Sequence, residues 1–280
     1  MNKIISIVGP TGVGKTKLSV ALAKKYNGEI INADSMQIYK DLNIGTAKVT
    51  EEEKEGIKHH LVDIKNLDEN YTVYDFQKDA REVIEEIRKK GKLPIVVGGT
   101  GLYIKALFYN YEFEDELVTN DFDAYGNDEL YSKLLKIDSE TTIHPNNRKR
   151  IIRALNYHEN NKGKKKDKNG NQLLYDVVFI GLTMEREKLY KRINNRVDEM
   201  MKNGLLEEVE NLHNKQIKTK PITGGIGYKE LYEYLDGNLA LEEATELIKR
   251  NSRRYAKRQY TWFNNQMAVN WFEVYEDNFD

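Results

Sequence analysis

The run Gly9-Pro10-Thr11-Gly12-Val13-Gly14-Lys15-Thr16 satisfies G-x-x-x-x-G-K-[ST] at every position. Residues of these types at this spacing bind phosphate. The glycines let consecutive backbone N–H groups turn toward one anion, and the helix that follows adds its positive end. Lys15 supplies a point charge between phosphates, and the Thr16 hydroxyl suits a magnesium ion. Such a loop reads a pyrophosphate, not the group attached to it, so it leaves the substrate open. Its flanks are right for the role: Ile4-Ile5-Ser6-Ile7-Val8 reads as a buried strand, and Lys17-Leu18-Ser19-Val20-Ala21-Leu22-Ala23 as the start of a helix.

Two further groups fall where an α/β sheet places its chemistry, at strand carboxyl ends. Glu29-Ile30-Ile31-Asn32 reads as a strand that delivers Asp34, followed by Ser35, Met36 and Gln37. Asp34 suits three roles: a turn or N-cap aspartate, a magnesium-linked carboxylate, or a general base, and the last is preferred. Leu93-Pro94-Ile95-Val96-Val97 is a second such strand, emptying into Gly98-Gly99-Thr100-Gly101, where small residues permit close backbone approach and Thr100 offers a hydroxyl. No apolar strand ends in the aspartate of a Walker B element, which argues against a motor ATPase. Arg192 and Arg196, four apart on a helix spanning Arg186 to Met201, emerge together and suit either a bidentate grip on a diphosphate or surface ion pairing.

These residues require a doubly covered parallel sheet, and the 280 residues suffice for one large α/β core with an inserted lobe. With a net charge of −1 there is no global pull toward nucleic acid, so any such binding must come from local clusters. The absence of cysteine excludes disulfides, thiolate zinc sites and cysteine nucleophiles. No run approaches membrane-spanning length and no signal precedes the first strand, so a reducing, cytoplasmic setting is expected.

Elsewhere, Phe76, Ala80, Val83, Ile84 and Ile87 share one helical face and read as core. His59-His60 invites a metal site but lacks companions, which favours plain loop or cap roles. Tyr111 to Glu129 is acidic and irregular. Next, Arg148-Lys149-Arg150-Ile151-Ile152-Arg153-Ala154-Leu155 reads as a helix with Arg150 and Arg153 opposite Ile151 and Leu155, and Lys162, Lys164, Lys165, Lys166 and Lys168 read as a basic hairpin or loop. That stretch is either a solvated loop or a contact to a phosphate backbone, the latter preferred. Val177 to Leu182 returns to the sheet, so residues 113–172 form an insertion between core segments 1–112 and 173–280. Gly224-Gly225-Ile226-Gly227-Tyr228-Lys229 approaches a helix without the Lys-Thr of a phosphate loop. The last long helix, Leu241 to about Trp262, interleaves Lys249, Arg250, Arg253, Arg254, Lys257 and Arg258 with Tyr255, Tyr260, Trp262 and Phe263, the pairing of charge and rings that an RNA-facing surface uses.

In order along almost the whole chain, GPTGVGKT, INADSMQIYKDLNIGTAK, HHLVDI, YTVYDFQKDA, VVGGTGLYIKAL, IHPNNRKRIIRAL, LYKRINNRVDEMMKNGL, GGIGYKEL and RRYAKRQYTWF resemble the tRNA dimethylallyltransferase (isopentenyl-diphosphate:tRNA transferase) family. The resemblance implies a P-loop α/β core with a mainly helical insertion that closes on a tRNA anticodon stem-loop. It implies transfer of a dimethylallyl group from dimethylallyl diphosphate to N6 of the adenine 3′ to the anticodon. In that case Asp34 takes the amine's proton, Thr100 helps seat the adenine, and the loop Gly9 to Thr16, a Mg2+ held by Thr16, and Arg192 or Arg196 stabilise the departing diphosphate. By motif match the RNA contacts are Asp34 to Gln37, Lys149-Arg150-Ile151-Ile152-Arg153, Gly224 to Lys229, and Lys257-Arg258-Gln259 with Trp262. This chain departs from the family at Asp123 and at Asn264-Asn265, where arginines are usual, and at Lys149, where glutamine is common. Such an enzyme is expected to act as a cytoplasmic monomer with no membrane partner. Competing readings are an adenylate isopentenyltransferase, a P-loop kinase using a second-strand carboxylate as base, and a noncatalytic RNA-binding module.

Overall fold

The computed structural model describes residues 3–111, 113, 122–160 and 171–275. It divides into two compact units, Met1–Asn110 with Leu173–Asp280, and Tyr111–Gln172. The lysines at 162–168, along with Glu112, Glu114, Asp115, Glu116 and Asp121, lie outside the described residues.

In the larger unit, strand β1 (Ile4–Val8) feeds helix α1 (Lys15–Lys25), and β2 (Gly28–Asn32) is followed by the short α2 (Glu51–Lys54) and β3 (His59–His60). Helix α3 (Val73–Lys89), strand β4 (Leu93–Val97) and helix α4 (Gly101–Phe108) complete the first part. In the smaller unit are α5 (Asn127–Ile137) and α6 (Arg148–Asn160). The larger unit resumes with β5 (Val177–Thr183), α7 (Arg186–Lys202), α8 (Leu205–Asn214), α9 (Lys220–Gly224), α10 (Tyr228–Leu235), α11 (Leu241–Gln266) and β6 (Asn270–Glu273). The strands form one sheet in the order β3-β2-β4-β1-β5-β6, parallel throughout.

Alternate strand residues face opposite layers, as parallel sheets covered on both sides require. Ile4, Val8, Ile31 and Val96 join the core made with α3, α4, α10 and α11, whereas Ile7, Ile30 and Ile95 join the one made with α1 and α7. The predicted face of α3 is the buried one, with Phe76, Ala80, Ile84 and Ile87 fully inside and Val83 packed at the margin. Thr72 starts that helix through a capping box, accepting from the Asp75 N–H while Asp75 accepts from the Thr72 N–H. β4 lies between β1 and β2, so the chain leaves β1 for a strand two places away and returns on its other side at β5. That reversal is a topological switch point, and the crevice it opens lies at the carboxyl ends of β1 and β4.

The histidine pair is part of the sheet, not a loop or cap. His59 and His60 pair in parallel with Ile30 and Ile31 of β2. His60 Nε2 lies 2.7 Å from the Glu29 carboxylate, which is buried and also accepts from Lys92 at 2.8 Å and Lys90 at 3.1 Å. Burial alone would raise the Glu29 pKa, but Lys92, His60 and Lys90 together hold it down to about 2.

In the smaller unit Leu130 and Leu134 of α5 meet Ile151 and Leu155 of α6, with Phe122 beside them. The Arg148 guanidinium ties the approach to α5, donating to the carbonyls of Phe122 at 2.8 Å and Tyr125 at 2.7 Å.

The Glu29 cluster gives a stability prediction. A carboxyl whose pKa falls on folding contributes stability above its unfolded value, near 4.5, and loses it as pH drops toward about 2. Glu29→Gln strands two lysines around a buried amide and is expected to lower unfolding free energy by about 3 kcal/mol at pH 7. Denaturant titrations should show the gap between native and variant chains narrowing below pH 4.5; a gap that is constant with pH contradicts the assignment.

Candidate active site

The phosphate loop is shaped by backbone that only glycine accepts at low cost. Gly12 and Gly14 have φ of 82° and 100°, and Gly14 directly precedes α1 as its N-cap. A side chain on Gly9 would run into the Leu182 carbonyl of β5, so the loop lies flat on the neighbouring strand. The Lys15 ammonium is held over the loop by the carbonyls of Gly9 at 3.0 Å and Pro10 at 2.8 Å. Burial, reinforced by Arg196 and opposed by Asp34, pushes its pKa down to about 8. Thr16 stands exposed in the first turn of α1, its hydroxyl making no hydrogen bond among the described residues.

Asp34 leaves β2 beside this loop. Its Oδ1 accepts from the Met36 N–H at 2.9 Å, while its own N–H donates to Asn32 Oδ1 at 3.1 Å. The turn role weighed for Asp34 is therefore real, and it fixes the carboxylate in place without using up both oxygens. Its charge reaches Lys15, Arg196, Tyr103 and Tyr255, raising the pKa of each against or along with burial. Arg196 donates to Thr11 Oγ1 at 3.1 Å and lies near Arg192, whose charge lowers its pKa further after burial. Of the two arginines, Arg196 is the one tied to the loop, through Thr11.

β4 occupies the place beside β1 where a Walker B strand would run, and it ends in Gly98-Gly99-Thr100. Side chains on Gly98, Gly99 or Gly101 would collide with Ala33, Gln259 and Trp262 respectively, which is how three elements close on Thr100. The Thr100 hydroxyl accepts from the Ser35 N–H at 3.1 Å. Thr11, Asp34, Ser35, Arg196, Tyr255 and Arg258 are among the polar residues that line a pocket of about 350 Å³, enough for a small ligand. Met36, Ile193, Val197, Met200, Leu205 and Ile248 form its apolar wall.

Several residues expected to touch RNA do other work. Gln259 is buried, and its amide accepts from the Thr11 N–H at 2.8 Å and donates to the Gly99 carbonyl at 3.0 Å, tying the phosphate loop to the turn before Thr100. Tyr228 is fully buried with its hydroxyl donated to Glu208 at 2.7 Å, and the same carboxylate accepts from the N–H groups of Asn43, Ile44 and Gly45. Ile151 is in the core of the smaller unit. Trp262 packs on Gly101 and Phe263 is wholly internal, so two of the four rings of α11 are scaffold, while Tyr260 is exposed and lies tilted beside Trp271. Gly225 and Gly227 are buried, whereas Gly224 is exposed and Ile226 and Lys229 are half-buried.

The outward basic residues are Arg250, Arg254, Lys257 and Arg258 on α11 of the larger unit, and Lys149, Arg150 and Arg153 on α6 of the smaller, where Ile152 is half-buried. Arg253 is half-buried and donates to Asn194 at 2.5 Å, and Lys249 pairs with Asp198 and Glu246. Tyr255 was visible in the sequence only as one aromatic among several. Its spacing of four from Gln259 is the signal that could have placed it in the pocket, had the direction of Gln259 been known.

Residues 37–266 match the family model described as IPP transferase. A tRNA dimethylallyltransferase of Anoxybacillus flavithermus is 54% identical over 98% of this chain and 91% of its own length. One from Bacillus cereus is 52% identical over 97% and 90%. Among solved structures, a tRNA isopentenylpyrophosphate transferase of Staphylococcus epidermidis aligns with a TM-score of 0.75 and 45% identity, covering 98% of this chain and 93% of that one. A eukaryotic dimethylallyltransferase described as acting on tRNA aligns with a TM-score of 0.82 and 34% identity, over 98% of this chain and 74% of its own. With its phosphate loop, flanking carboxylate and near full-length likeness to these proteins, the chain belongs to the IPP transferase family.

Proposed function

We propose that this protein transfers a dimethylallyl group from dimethylallyl diphosphate to N6 of the adenine 3′ to the anticodon in tRNA, giving N6-isopentenyladenosine. The single observation that carries the chemistry is Asp34, held by the Met36 N–H at the mouth of a loop whose Lys15 and Arg196 both feel its charge. In the reaction the allylic C–O bond breaks and an N6–C bond forms. The adenine amine is a weak nucleophile because its lone pair is delocalised into the ring, and Asp34 accepts the proton it must shed. The electron pair of the broken bond leaves with diphosphate, whose growing charge meets the loop amides, Lys15 and Arg196. The apolar wall from Ile193 to Met200 on α7, with Ile248 on α11, houses the hydrocarbon and keeps water from an electron-poor allylic carbon.

A magnesium ion fits this arrangement as a companion of the substrate. No group of three or more acidic, histidine or cysteine side chains forms a protein-only metal site among the described residues. Mg2+ commonly takes one or two protein oxygens and completes its shell with phosphate oxygens and water. The Thr16 hydroxyl is the group that would hold it, and the ion would neutralise charge on the leaving diphosphate.

To reach the pocket the adenine must leave its stack, a cost offset by contacts on the stem-loop. Basic residues of α11 and α6 supply these, chiefly Lys257, Arg258, Lys149 and Arg150. We take the protein to work as a cytoplasmic monomer; in the structure no described helix is long and apolar enough to cross a membrane.

Three outcomes follow. Asp34→Asn should reduce isopentenyladenosine formation, read by mass analysis of tRNA nucleosides, by about 10²–10⁴-fold while tRNA still binds; near-native transfer removes Asp34 from the base role. Lys15 must be protonated to hold diphosphate, and its pKa in the free protein is about 8. The affinity of the native chain relative to Lys15→Arg, a ratio that cancels titration of the ligand, should be constant below that pH. Above it the ratio should fall by roughly tenfold per pH unit; calorimetry showing a flat ratio contradicts the role. Finally, Arg150→Ala and Lys257→Ala should each weaken tRNA binding and lower the slope of log affinity against log salt by about one per lost phosphate contact. Unchanged slopes would take those residues out of the RNA surface.

A further inference from the structure

Helix α7 gives the pocket a direction. Ile193, Arg196, Val197 and Met200 fall on one helical stripe, and all four line the cavity. The stripe begins at the phosphate loop, because a side chain on Gly12 would come within 3.2 Å of Ile193 and Arg196 donates to Thr11 at 3.1 Å. Met200 lies one turn past Arg196, about 6 Å farther along the helix axis. In the apolar wall Ile193, Val197, Leu205 and Ile248 are at most 3% exposed, whereas Met200 is half-buried. Its thioether is therefore the part of α7 that a ligand reaches at that level.

What stands behind the wall is fixed. Tyr228 is fully buried, its hydroxyl donates to Glu208 at 2.7 Å, and Glu208 also accepts from the N–H groups of Asn43, Ile44 and Gly45. The Tyr228 ring lies against two glycine backbones: a side chain would come within 2.6 Å of it from Gly45 and 3.1 Å from Gly225. Such a backing cannot move aside for a longer ligand, so the volume of the Met200 side chain limits the cavity here. Both reacting atoms belong near the loop, where Lys15 and Arg196 take the diphosphate and Asp34 the proton. What continues past them along α7 is the donor's hydrocarbon, the only aliphatic part of either substrate.

We propose that Met200 is a specificity-determining residue: it is the stop that the hydrocarbon meets, and it limits the donor to a single prenyl unit. Glu208 and Tyr228 are positioning residues that keep the stop from yielding.

This inference rests on the proposed prenyl transfer and is tested separately from it. The full chain is assayed with anticodon stem-loop RNA and either dimethylallyl or geranyl diphosphate. Met200→Ala should raise the ratio of kcat/KM for geranyl over dimethylallyl by about tenfold or more. Met200→Phe should raise the KM for dimethylallyl diphosphate. Both variants should bind inorganic diphosphate as the native chain does, since only the hydrocarbon touches Met200. A binding series on the native chain needs no variant. Saturated alkyl diphosphates cannot react as allylic ones do, so calorimetry reads their fit alone. Affinity should gain about fourfold per added methylene until the stop is reached, and nothing beyond it. An unbroken gain along the series, or an unchanged donor ratio in a Met200→Ala chain that still binds inorganic diphosphate, overturns the inference and leaves dimethylallyl transfer standing. Failure of the native chain to transfer dimethylallyl overturns both.

Discussion

A carboxylate is kept beside two cations without being allowed to pair with them. Asp34 spends one oxygen on the Met36 N–H, Lys15 is tied to the carbonyls of Gly9 and Pro10, and Arg196 is tied to Thr11. Each charge feels the others, yet no ion pair joins Asp34 to either cation among the described residues. A direct pair would satisfy both partners and leave neither for a substrate. Separation by tethering keeps the cations for an anion and the carboxylate for a proton. The geometry suits a reaction in which negative charge leaves toward one side and a proton toward the other.

The tethers are possible because the sheet brings three turns to one edge and because α11 closes over them. Gly98 and Gly9 let β4 and β1 approach Ala33 and Leu182 more closely than any side chain would permit. Gln259 then spans from the phosphate loop to the turn before Thr100, and Trp262 seals Gly101 from the same helix face. Behind the pocket-lining residues Gly45 and Tyr228, Glu208 gathers three backbone N–H groups of residues 43–45 and the Tyr228 hydroxyl, holding the segment after Asp34 against α8 and α10. Helix α11 is thus amphipathic in an unusual sense: its inner face is polar where it meets the site, Arg258 borders the pocket, and its outer face carries Arg254 and Lys257.

Much of this was legible in the sequence, for identifiable reasons. The phosphate loop, the strands before Asp34 and Thr100, and the face of α3 are encoded by local spacing, and local spacing is visible without a partner. The return to the sheet at Val177 follows from the same cues. What a linear pattern cannot carry is which way a side chain in a matched stretch points. Ile151, Tyr228 and Gln259 lie within stretches assigned to RNA, and each is turned inward, one into a helix pair, one onto a glutamate, one across the loop. Which of the α11 rings are core could not be told from spacing either, and becomes plain only once the glycine beneath Trp262 is found. His59-His60 was too short a run to announce a strand, and pairing with β2 supplies what propensity did not.

The central claim, that Asp34 stands beside the anion site as a proton acceptor and is not part of what holds the anion, is tested most directly by calorimetric titration of Asp34→Ala with inorganic diphosphate and magnesium. The account predicts affinity equal to or above that of the native chain, because a negative charge next to the site has been removed. A marked loss of affinity would contradict it, and would make Asp34 a link in metal and diphosphate binding instead.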